Sequence, residues 1–491
     1  MEHLRRHPVV VAAALAFLAR LPALTRPLRA DEAGFLLVAR SWDPEPGSMF
    51  GPHWVDRPPS LIAVYRAVEA FGGAVPLRLL GAVVAVATVL LAAAVAHEVA
   101  GRRAVGWTAA TSAALLSNPM IDVVAVKGEL LALPLLLVSM LLVLRAVRRT
   151  SVLLALGSGL AAGLAVGLKQ NLATGLVFAA VLLLVAWRTG RLSGTRTLAL
   201  ASAGAAGAAV PVVATIVWAR AAGVRLTTLW ETVYGFRAGA ARVIADGSTE
   251  APERRAWTLL VIALACGLLP ILAGLVAHLR ERWRDDPPVV AGTVAVVATD
   301  VIGLAAGGSF WQDYLTPLVP GAALCVALLA GRPEPAGRRM RGVVVGTAAS
   351  AAAAMVFWLA WNVTGLQEFH EVHTGEAVAS AADRGDTLVV FGGRPDLQDA
   401  SGLGSPYPYL WSLPMRARDP GYADLRALLA GPDAPTWLVE WVDFDAWAPA
   451  GVVELERVVE ERYVANGVTC NGRPVYLLRG LERPTVDPDC D

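Results

Sequence analysis

The chain has 491 residues, of which 56% are hydrophobic and only 17% are charged, and its mean hydropathy is +0.54. This composition excludes an ordinary soluble protein of that size and is typical of a membrane protein. Basic and acidic residues nearly balance, at 42 against 41, so no surplus of positive charge favours a nucleic-acid partner.

Apolar runs of membrane-spanning length recur through the first three-quarters of the chain. The first follows the basic pair Arg5 and Arg6 and resembles a signal peptide, but no A-x-A cleavage site precedes Thr25. Further runs follow it, so we expect a retained first helix. A window of about 19 residues predicts eleven spans, at 9–24, 76–98, 105–121, 128–145, 151–168, 171–187, 197–219, 257–279, 288–307, 314–331 and 342–361.

Arginines cluster in alternate short loops, and this pattern predicts the orientation in the membrane. Clusters lie at 5–6, 102–103, 145–149, 188–196, 280–284 and 332–341, whereas the loops between them carry almost none. The arginine-rich side is predicted to be cytoplasmic. We therefore expect a plasma-membrane protein with a cytoplasmic N-terminus, whose segments 25–75, 220–256 and 363–491 are extracytoplasmic.

Two long segments between spans show signs of ordered structure. In 25–75, the pieces Glu32–Trp42 and Ser60–Phe71 space apolar residues as amphipathic surface helices do. Turn-rich sequence lies between them, where we expect polar side chains to meet the lipid interface. The segment 220–256 is predicted to be a partly helical lid.

The chain divides into a transmembrane domain, 1–362, and a C-terminal domain, 363–491, where the composition becomes mixed and polar. Strand-like runs begin at Thr387, Thr436 and Pro474, and helical segments lie at 372–383 and 420–430. Their alternation predicts a small α/β domain. In an extracytoplasmic tail Cys470 and Cys490 can form a disulfide; the sequence leaves open whether they do.

Asp31 and Glu32 are adjacent carboxylates at the start of the first extracytoplasmic segment. A solvated helix start would also carry such residues, because acidic side chains favour the first turn of a helix. The functional interpretation is that they are catalytic, with Asp31 as a general base that accepts a proton from an attacking hydroxyl.

Basic side chains are predicted at the same depth along the membrane normal as Asp31 and Glu32. Lys127 and Lys169 are the only two lysines in the chain, and Arg57 lies in the stiff sequence Asp-Arg-Pro-Pro. With Gln170 beside Lys169, these residues are candidates for binding a donor phosphate, whose charge as a leaving group needs neutralising. Each is also a possible membrane-boundary anchor.

Four further residues are candidates for orienting an acceptor or a metal ion: His53, Asp56, Glu129 and Tyr314. The loop Ser309–Tyr314, which is predicted to face outward, and Glu231, Tyr234 and Arg237 are second-rank candidates for sugar or acceptor contacts. Asp300 is an ionisable residue within an apolar run, which makes it a candidate functional residue by default. A divalent metal is possible, and neither its presence nor its identity follows from the sequence.

These motifs, taken in order, resemble the GT-C superfamily of membrane glycosyltransferases, in particular the protein-mannosyltransferase and aminoarabinose-transferase-like enzymes. The resemblance covers about residues 8–330. It is carried by Asp31-Glu32, the Asp56-Arg57-Pro-Pro sequence, Asn118-Pro119 through Glu129, the run Gly163–Gln170, and the run Tyr314–Pro320. It implies a polyprenyl-phosphate-sugar donor, inversion at the anomeric carbon, a catalytic acid residue at Asp31, and phosphate contacts at Arg57 and Lys169.

The sequence thus predicts an α-helical polytopic membrane protein with a small extracytoplasmic α/β domain. Its expected activity is transfer of a sugar from a polyprenyl-phosphate carrier to an extracytoplasmic acceptor in the cell envelope, a glycan, lipid or protein. A transporter or lipid flippase is the alternative, although such proteins usually show repeat symmetry and midplane sites. A silent assembly protein is a third possibility. Neither the sugar nor the acceptor is identified.

Overall fold

A computed structural model describes residues 7–122, 124–247, 250–333, 335–447 and 450–490. Within these ranges, seven helical segments are long and apolar enough to cross a membrane. They are Pro8–Thr25, Ala74–Ala100, Gly128–Arg149, Gly194–Ala221, Pro287–Ala306, Gln312–Ala330 and Pro335–Val363. The chain is a multi-pass membrane protein, but eleven spans are not confirmed. Arg5 and Arg6, used in the orientation argument, lie outside the described residues.

The helices of the membrane domain are numbered here in chain order. They are α1 (Pro8–Leu18), α2 (Ala30–Arg40), α3 (Pro59–Glu69), α4 (Ala74–Ala100), α5 (Arg102–Leu116), α6 (Gly128–Arg149), α7 (Val152–Leu168), α8 (Thr174–Arg188), α9 (Gly194–Ala221), α10 (Leu226–Trp230), α11 (Phe236–Ala245), α12 (Glu250–Ala265), α13 (Leu268–Asp285), α14 (Pro287–Ala306), α15 (Val319–Ala330) and α16 (Pro335–Val363). Short 3-10 turns lie at Leu21–Thr25, Pro119–Ile121 and Gln312–Leu318.

The predicted span 257–279 is bent rather than straight. Helices α12 and α13 meet at an angle of 71°, and Gly267 between them has a φ of +83°. A Cβ at this position would overlap the side chain of Thr347 on α16. Glycine is therefore needed here for its backbone conformation and for the close approach of α16. Counting the bent pair as one span gives up to eight.

The two amphipathic helices predicted after the first span are confirmed as α2 and α3. On α2, Phe35, Leu36 and Val38 are fully or almost fully buried, and on α3 Leu61 and Tyr65 are buried. The backbone N–H of Arg29 donates to Glu32 Oε2 at 3.0 Å, which satisfies one free donor at the N-terminus of α2. The start of α2 is thus fixed, and Asp31 lies in its first turn.

The predicted lid, 220–256, is partly helical as expected. Helix α10 continues through a π-helical turn at Glu231–Gly235 into α11. Phe236 and Ala240 of α11 pack with Trp54 of the first loop and with Leu413 of the C-terminal domain. This segment therefore joins the first loop to the C-terminal domain beside the site described below.

The C-terminal domain is α/β, as predicted. Its sheet has the order β1-β2-β4-β3, with β1 (Leu388–Phe391) parallel to β2 (Trp437–Glu440) and the other pairs antiparallel. The remaining elements are β3 (Tyr463–Val468), β4 (Pro474–Leu478) and helices α17 (His370–Ala381), α18 (Pro395–Ser401), α19 (Ser412–Arg418), α20 (Ala423–Ala430) and α21 (Val452–Arg462). Cys470 and Cys490 form a disulfide with a Cα–Cα distance of 5.5 Å, which answers the question that the sequence left open.

The C-terminal domain rests directly on the loops of the membrane domain. The backbone N–H of Trp54 donates to the carbonyl of Pro408 at 2.9 Å. Arg40, the last residue of α2, pairs with Asp399 of the C-terminal domain at 2.5 Å. A cavity lies between the two domains.

Candidate active site

The cavity has a volume of about 1670 Å³ and is lined by residues of both domains. The charged side chains that the membrane domain contributes to its wall come from the start of α2, the loop before α3, the segment that leads into α6, the end of α7, α11, α12 and the 3-10 turn Gln312–Leu318. The C-terminal domain contributes the residues after β1 and Trp411. Seven of the ten site residues predicted from the sequence line this cavity: Asp31, Asp56, Arg57, Lys127, Glu129, Lys169 and Tyr314.

Asp31 has a different partner on each carboxylate oxygen. Oδ2 lies 3.0 Å from Lys127 Nζ, and Oδ1 accepts a hydrogen bond of 3.0 Å from Trp411 Nε1. Burial alone would raise the pKa of this carboxyl, but the charges of Lys127, Arg57 and Lys169 outweigh that effect and lower the pKa to about 2. Asp31 is therefore ionised at neutral pH, with one third of its side chain exposed.

Lys127 lies between two carboxylates. Besides Asp31, its Nζ lies 3.3 Å from Asp313 Oδ2. Burial would lower the pKa of Lys127, but the charges of Asp31 and Asp313 raise it well above its usual range. We call Asp31, Lys127 and Asp313 the Asp31 cluster; with all three ionised, its formal charge is −1. Asp313 belongs to the loop Ser309–Tyr314, a second-rank candidate from the sequence, in which this carboxylate was not singled out.

Arg57 belongs to a second group of charges. Asp56 pairs with Arg57 through Oδ1 and with Arg237 through Oδ2, each at 2.5 Å. The Arg57 guanidinium lies over the ring of Phe35, 5.7 Å from its centroid, one helical turn beyond Asp31. We call Asp56, Arg57 and Arg237 the Arg57 cluster; its formal charge is +1. Arg237, a second-rank candidate from the sequence, thus takes part in the site.

Lys169 and Glu129 form a buried ion pair beside the Asp31 cluster. The ammonium of Lys169 also lies 5.4 Å from the centroid of the Tyr314 ring. Because the pair is neutral as a whole, it adds donors to the cavity wall without adding net charge. Lys169 directly follows the last residue of α7 and Glu129 lies in the first turn of α6, so the pair also ties these two helices together.

Arg255 is a cation of the cavity wall that sequence reasoning missed. Its guanidinium lies 4.5 Å from the centroid of the Trp311 ring, and its Nε donates to the carbonyl of Ser309 at 2.7 Å. Among the described residues it makes no ion pair, so its charge is not offset. The only sequence signal was the pair Arg254-Arg255 at the start of a predicted span, which usually indicates a boundary anchor.

Glu32, predicted to be catalytic with Asp31, is not among the described residues that line the cavity. Its Oε2 lies 2.7 Å from Arg78 Nη2, and both side chains are buried. Its Oε1 accepts the backbone N–H of Val126 at 2.8 Å. Consecutive residues of a helix point about 100° apart, so Asp31 and Glu32 have separate surroundings. Glu32 joins α2 to α4 and to the segment before α6.

His53 and Gln170 also lie outside the described lining of the cavity. Gln170 donates through Nε2 to the backbone carbonyls of Asp56 and Val233, at 3.1 and 3.0 Å. It therefore holds the loop that carries Arg57 against the lid. His53 is buried, and burial lowers its pKa to about 4, so the imidazole is neutral at pH 7.

The carboxylates do not form a metal site. Over the described ranges, no group of three or more His, Cys, Asp or Glu side chains is arranged to hold a metal ion. Asp31, Asp313 and Glu129 instead surround the ammonium groups of Lys127 and Lys169. Since a cationic side chain occupies the place where an ion would need free oxygens, the residues present do not fit a divalent metal.

Asp300 lies apart from the cavity, on α14. Its Oδ1 accepts a hydrogen bond of 2.9 Å from Thr174 Oγ1, which joins α14 to the start of α8. Glu231 and Tyr234, the other second-rank candidates, are likewise not among its described lining residues.

No protein-family model and no curated protein matches this sequence, but solved structures of the same fold do. ArnT from Cupriavidus metallidurans in the apo state matches with a TM-score of 0.62 at 14% identity, and the match covers 95% of this chain and 97% of that one. The same protein bound to undecaprenyl phosphate matches with a TM-score of 0.60, at the same identity and coverage.

The archaeal oligosaccharyltransferase AglB from Archaeoglobus fulgidus, in complex with an inhibitory peptide and a dolichol-phosphate, is also similar. Its TM-score is 0.55 at 10% identity, over 98% of this chain and 74% of that one. At such identities the similarity is one of fold. It includes the C-terminal domain, which the sequence motifs did not cover. The chain therefore shares the fold of these solved structures.

Proposed function

We propose that this protein is a membrane glycosyltransferase that moves a sugar from a polyprenyl-phosphate carrier to an extracytoplasmic acceptor of the cell envelope. The observation that carries the proposal is the approach of Asp31 to Lys127, with the Arg57 cluster beside them, in one cavity between the two domains. The polyprenyl phosphates bound by two proteins of the same fold support this class of donor.

In this reaction Asp31 acts as the general base. The acceptor hydroxyl oxygen attacks the anomeric carbon, and its proton passes to a carboxylate oxygen of Asp31 as the new C–O bond forms. The bond from the anomeric carbon to the phosphate oxygen breaks, and its electron pair leaves with the polyprenyl phosphate. Attack from the face opposite the leaving group inverts the anomeric carbon.

The distribution of formal charge suggests where the donor phosphate binds. The Arg57 cluster has a surplus of one positive charge, and Arg255 adds another, whereas the Asp31 cluster has a surplus of one negative charge. An anionic phosphate is therefore attracted to Arg57, Arg237 and Arg255 and repelled from Asp31 and Asp313. Lys169 adds a donor. Lys127, proposed from the sequence as a phosphate ligand, has its main role in holding Asp31.

The low pKa of Asp31 in the free protein is compatible with this role. A carboxyl with a pKa of about 2 is a weak base, and general bases work best when their pKa lies near the operating pH. The anionic donor offsets the positive charge of Arg57 and its neighbours, which removes part of the effect that lowers the pKa. Asp31 thus becomes a stronger base once the donor has bound.

The test is sugar transfer in proteoliposomes. Purified protein would be supplied with undecaprenyl phosphates carrying a labelled hexose or pentose, together with cell-envelope extract as acceptor. We expect transfer by the wild type and at least a hundredfold slower transfer by Asp31→Asn, since general bases contribute about 10²–10⁴-fold. Asp286→Asn, at an exposed ion pair with Arg191, is the matched control and should transfer normally.

Full activity in Asp31→Asn would refute the assignment of the base. Absence of transfer by the wild type with every donor would refute the proposed function. Movement of intact polyprenyl phosphate between leaflets without transfer would instead indicate a lipid flippase.

A further inference from the structure

The C-terminal domain reaches the candidate base through one side chain. Trp411 Nε1 donates to Asp31 Oδ1 at 3.0 Å, across 380 positions of sequence. Trp411 also lines the cavity. The opposite oxygen of Asp31 faces Lys127, so each domain holds one oxygen of the same carboxylate.

The indole of Trp411 lies against α2 where only a glycine leaves room. Gly34 is three residues beyond Asp31, on the same side of the helix. A Cβ at Gly34 would overlap the indole, 2.6 Å from Cη2 and 2.9 Å from Cε2. Phe35 adds an aromatic contact, with ring centroids 5.7 Å apart. The side chain of Trp411 therefore has little freedom to move away from Asp31.

The backbone of Trp411 is also closely packed, against the loop that follows β1 in the C-terminal domain. Gly393, two residues after β1, has a φ of +65°, and a Cβ there would lie 2.7 Å from the Cα of Trp411. Trp411 is also the N-cap residue of α19, and its carbonyl accepts the backbone N–H of Met415 at 3.2 Å. The position of Trp411 is thus determined by the strand and helix of the C-terminal domain.

We propose that Trp411 is a positioning residue for Asp31, and that the C-terminal domain completes the active site by fixing the orientation of this carboxylate. The inference rests on the proposed function of Asp31 as the base. With Oδ1 held by Trp411, rotation of the carboxylate is restricted and Oδ2 faces Lys127 and the cavity, where the acceptor proton arrives. Orientation of this kind contributes to rate more than to ground-state binding.

The chemical nature of the hydrogen-bond donor to Asp31 matters for this role. An indole N–H is neutral, whereas a lysine or arginine in the same place would add a full positive charge. A cation in that place would attract the ionised carboxylate, lower its pKa further and so weaken it as a base. Trp411 holds Asp31 in place at a smaller cost in basicity.

The experiment uses the full chain in proteoliposomes and compares Trp411→Phe with the wild type. Phenylalanine keeps an aromatic ring against Gly34 but has no N–H donor. We expect kcat to fall about tenfold, within the range for one lost catalytic-site hydrogen bond, while the KM for the undecaprenyl-phosphate donor changes less than twofold. Gly34→Ala, which displaces the indole from α2, should lower kcat in the same way.

Trp437→Phe is the matched control. Trp437 Nε1 donates to Asp386 Oδ2 at 3.2 Å, so this variant removes the same kind of hydrogen bond in the same domain, outside the described lining of the cavity. We expect it to lower the thermal unfolding temperature and to leave kcat unchanged. A merely structural role of Trp411 would make the two variants behave alike.

Three results would overturn the proposal. The first is a wild-type kcat in Trp411→Phe, alongside an inactive Asp31→Asn; it would refute the role of Trp411 and leave the proposed function standing. The second is an equal fall of kcat in Trp411→Phe and Trp437→Phe. The third is absence of transfer by the wild type, which would remove the proposed function and the positioning role with it.

Discussion

Glu32 Oε2 and Arg78 Nη2 are 2.7 Å apart, and both side chains are closed to solvent. The neighbouring carboxylate, Asp31, faces the cavity and keeps one third of its side chain exposed. Two adjacent acidic residues therefore have separate roles, because α2 turns one toward the cavity and the other toward α4. Glu32 acts on the fold of the site, and Asp31 on its chemistry.

The first prediction separates these two roles by stability. Glu32→Gln leaves the Arg78 guanidinium buried without its counter-charge, which costs about 3–5 kcal/mol in comparable buried pairs. We expect a clear fall in the thermal unfolding temperature of the detergent-purified protein. Asp31→Asn, matched in chemistry and one residue away, should lower that temperature less, because the Asp31 side chain is partly exposed and Lys127 keeps Asp313 as a counter-charge. Equal unfolding temperatures for the two variants would contradict this division.

The second prediction concerns the pH dependence of activity. The folded pKa of Asp31, about 2, is lower than that of an ordinary aspartate, so the carboxylate stays charged as the pH falls from 8 to 5. We expect no loss of kcat/KM from protonation of Asp31 in that range. Lys127→Gln removes the nearest cation and leaves the effect of burial opposed by Arg57 and Lys169 alone, so the pKa of Asp31 rises. The fall of kcat/KM at acid pH should then begin at a higher pH than in the wild type.

Lys127→Arg, which keeps the positive charge, is the control for that experiment. Its kcat/KM should stay level over the same range, whatever its absolute value. An identical pH profile in Lys127→Gln and the wild type would mean that Lys127 does not set the charge state of Asp31.

The convergence of Asp31, Lys127 and Lys169 could be predicted from sequence because each lies near the end of a predicted span, and Arg57 belongs to the segment 25–75 on the same predicted face. Such spans set the height of their ends in the membrane, and the alternation of arginines sorts those ends onto two faces. Glu32 shows the limit of this reasoning. Two neighbouring residues have the same predicted position along the membrane normal, and only the packing of α2 against α4 decides which of them faces the cavity.

Trp411 could not be found in this way, because its contact with Asp31 depends on how the C-terminal domain sits on the loops. The bend at Gly267 was missed for a different reason: hydropathy is continuous across it, and the signal is a single glycine. Strand β3 was missed because only Tyr463 among its six residues is buried. An edge strand of this kind lacks the apolar run that predicts a strand.

The third prediction concerns donor binding by Arg255. Arg255→Gln removes a cation that no carboxylate of the described residues pairs with, and a hydrogen bond to a charged group contributes about 1.5–3 kcal/mol. We expect the KM for the undecaprenyl-phosphate donor to rise at least tenfold, with a smaller change in kcat. Arg254→Gln is the control, since Arg254 is exposed and not among the described lining residues of the cavity. Equal KM values for the two variants would exclude Arg255 from the phosphate site.

The last prediction concerns the disulfide between Cys470 and Cys490. It closes a loop of 20 positions, and the backbone N–H of Cys470 also donates to Thr374 of α17 at 3.0 Å. Disulfides that close loops of this size stabilise a fold by about 3 kcal/mol. We therefore expect Cys470→Ser with Cys490→Ser to lower the unfolding temperature of the C-terminal domain.

The disulfide also predicts the number of thiols that react in the denatured chain. In SDS without reductant, a maleimide-polymer reagent should label two cysteines, Cys266 and Cys325, which are the free ones. After reduction it should label four, and Cys266→Ser should lower each number by one. Labelling of four cysteines without reduction would contradict the disulfide. It would also count against an extracytoplasmic C-terminal domain, because disulfides persist chiefly in oxidising compartments.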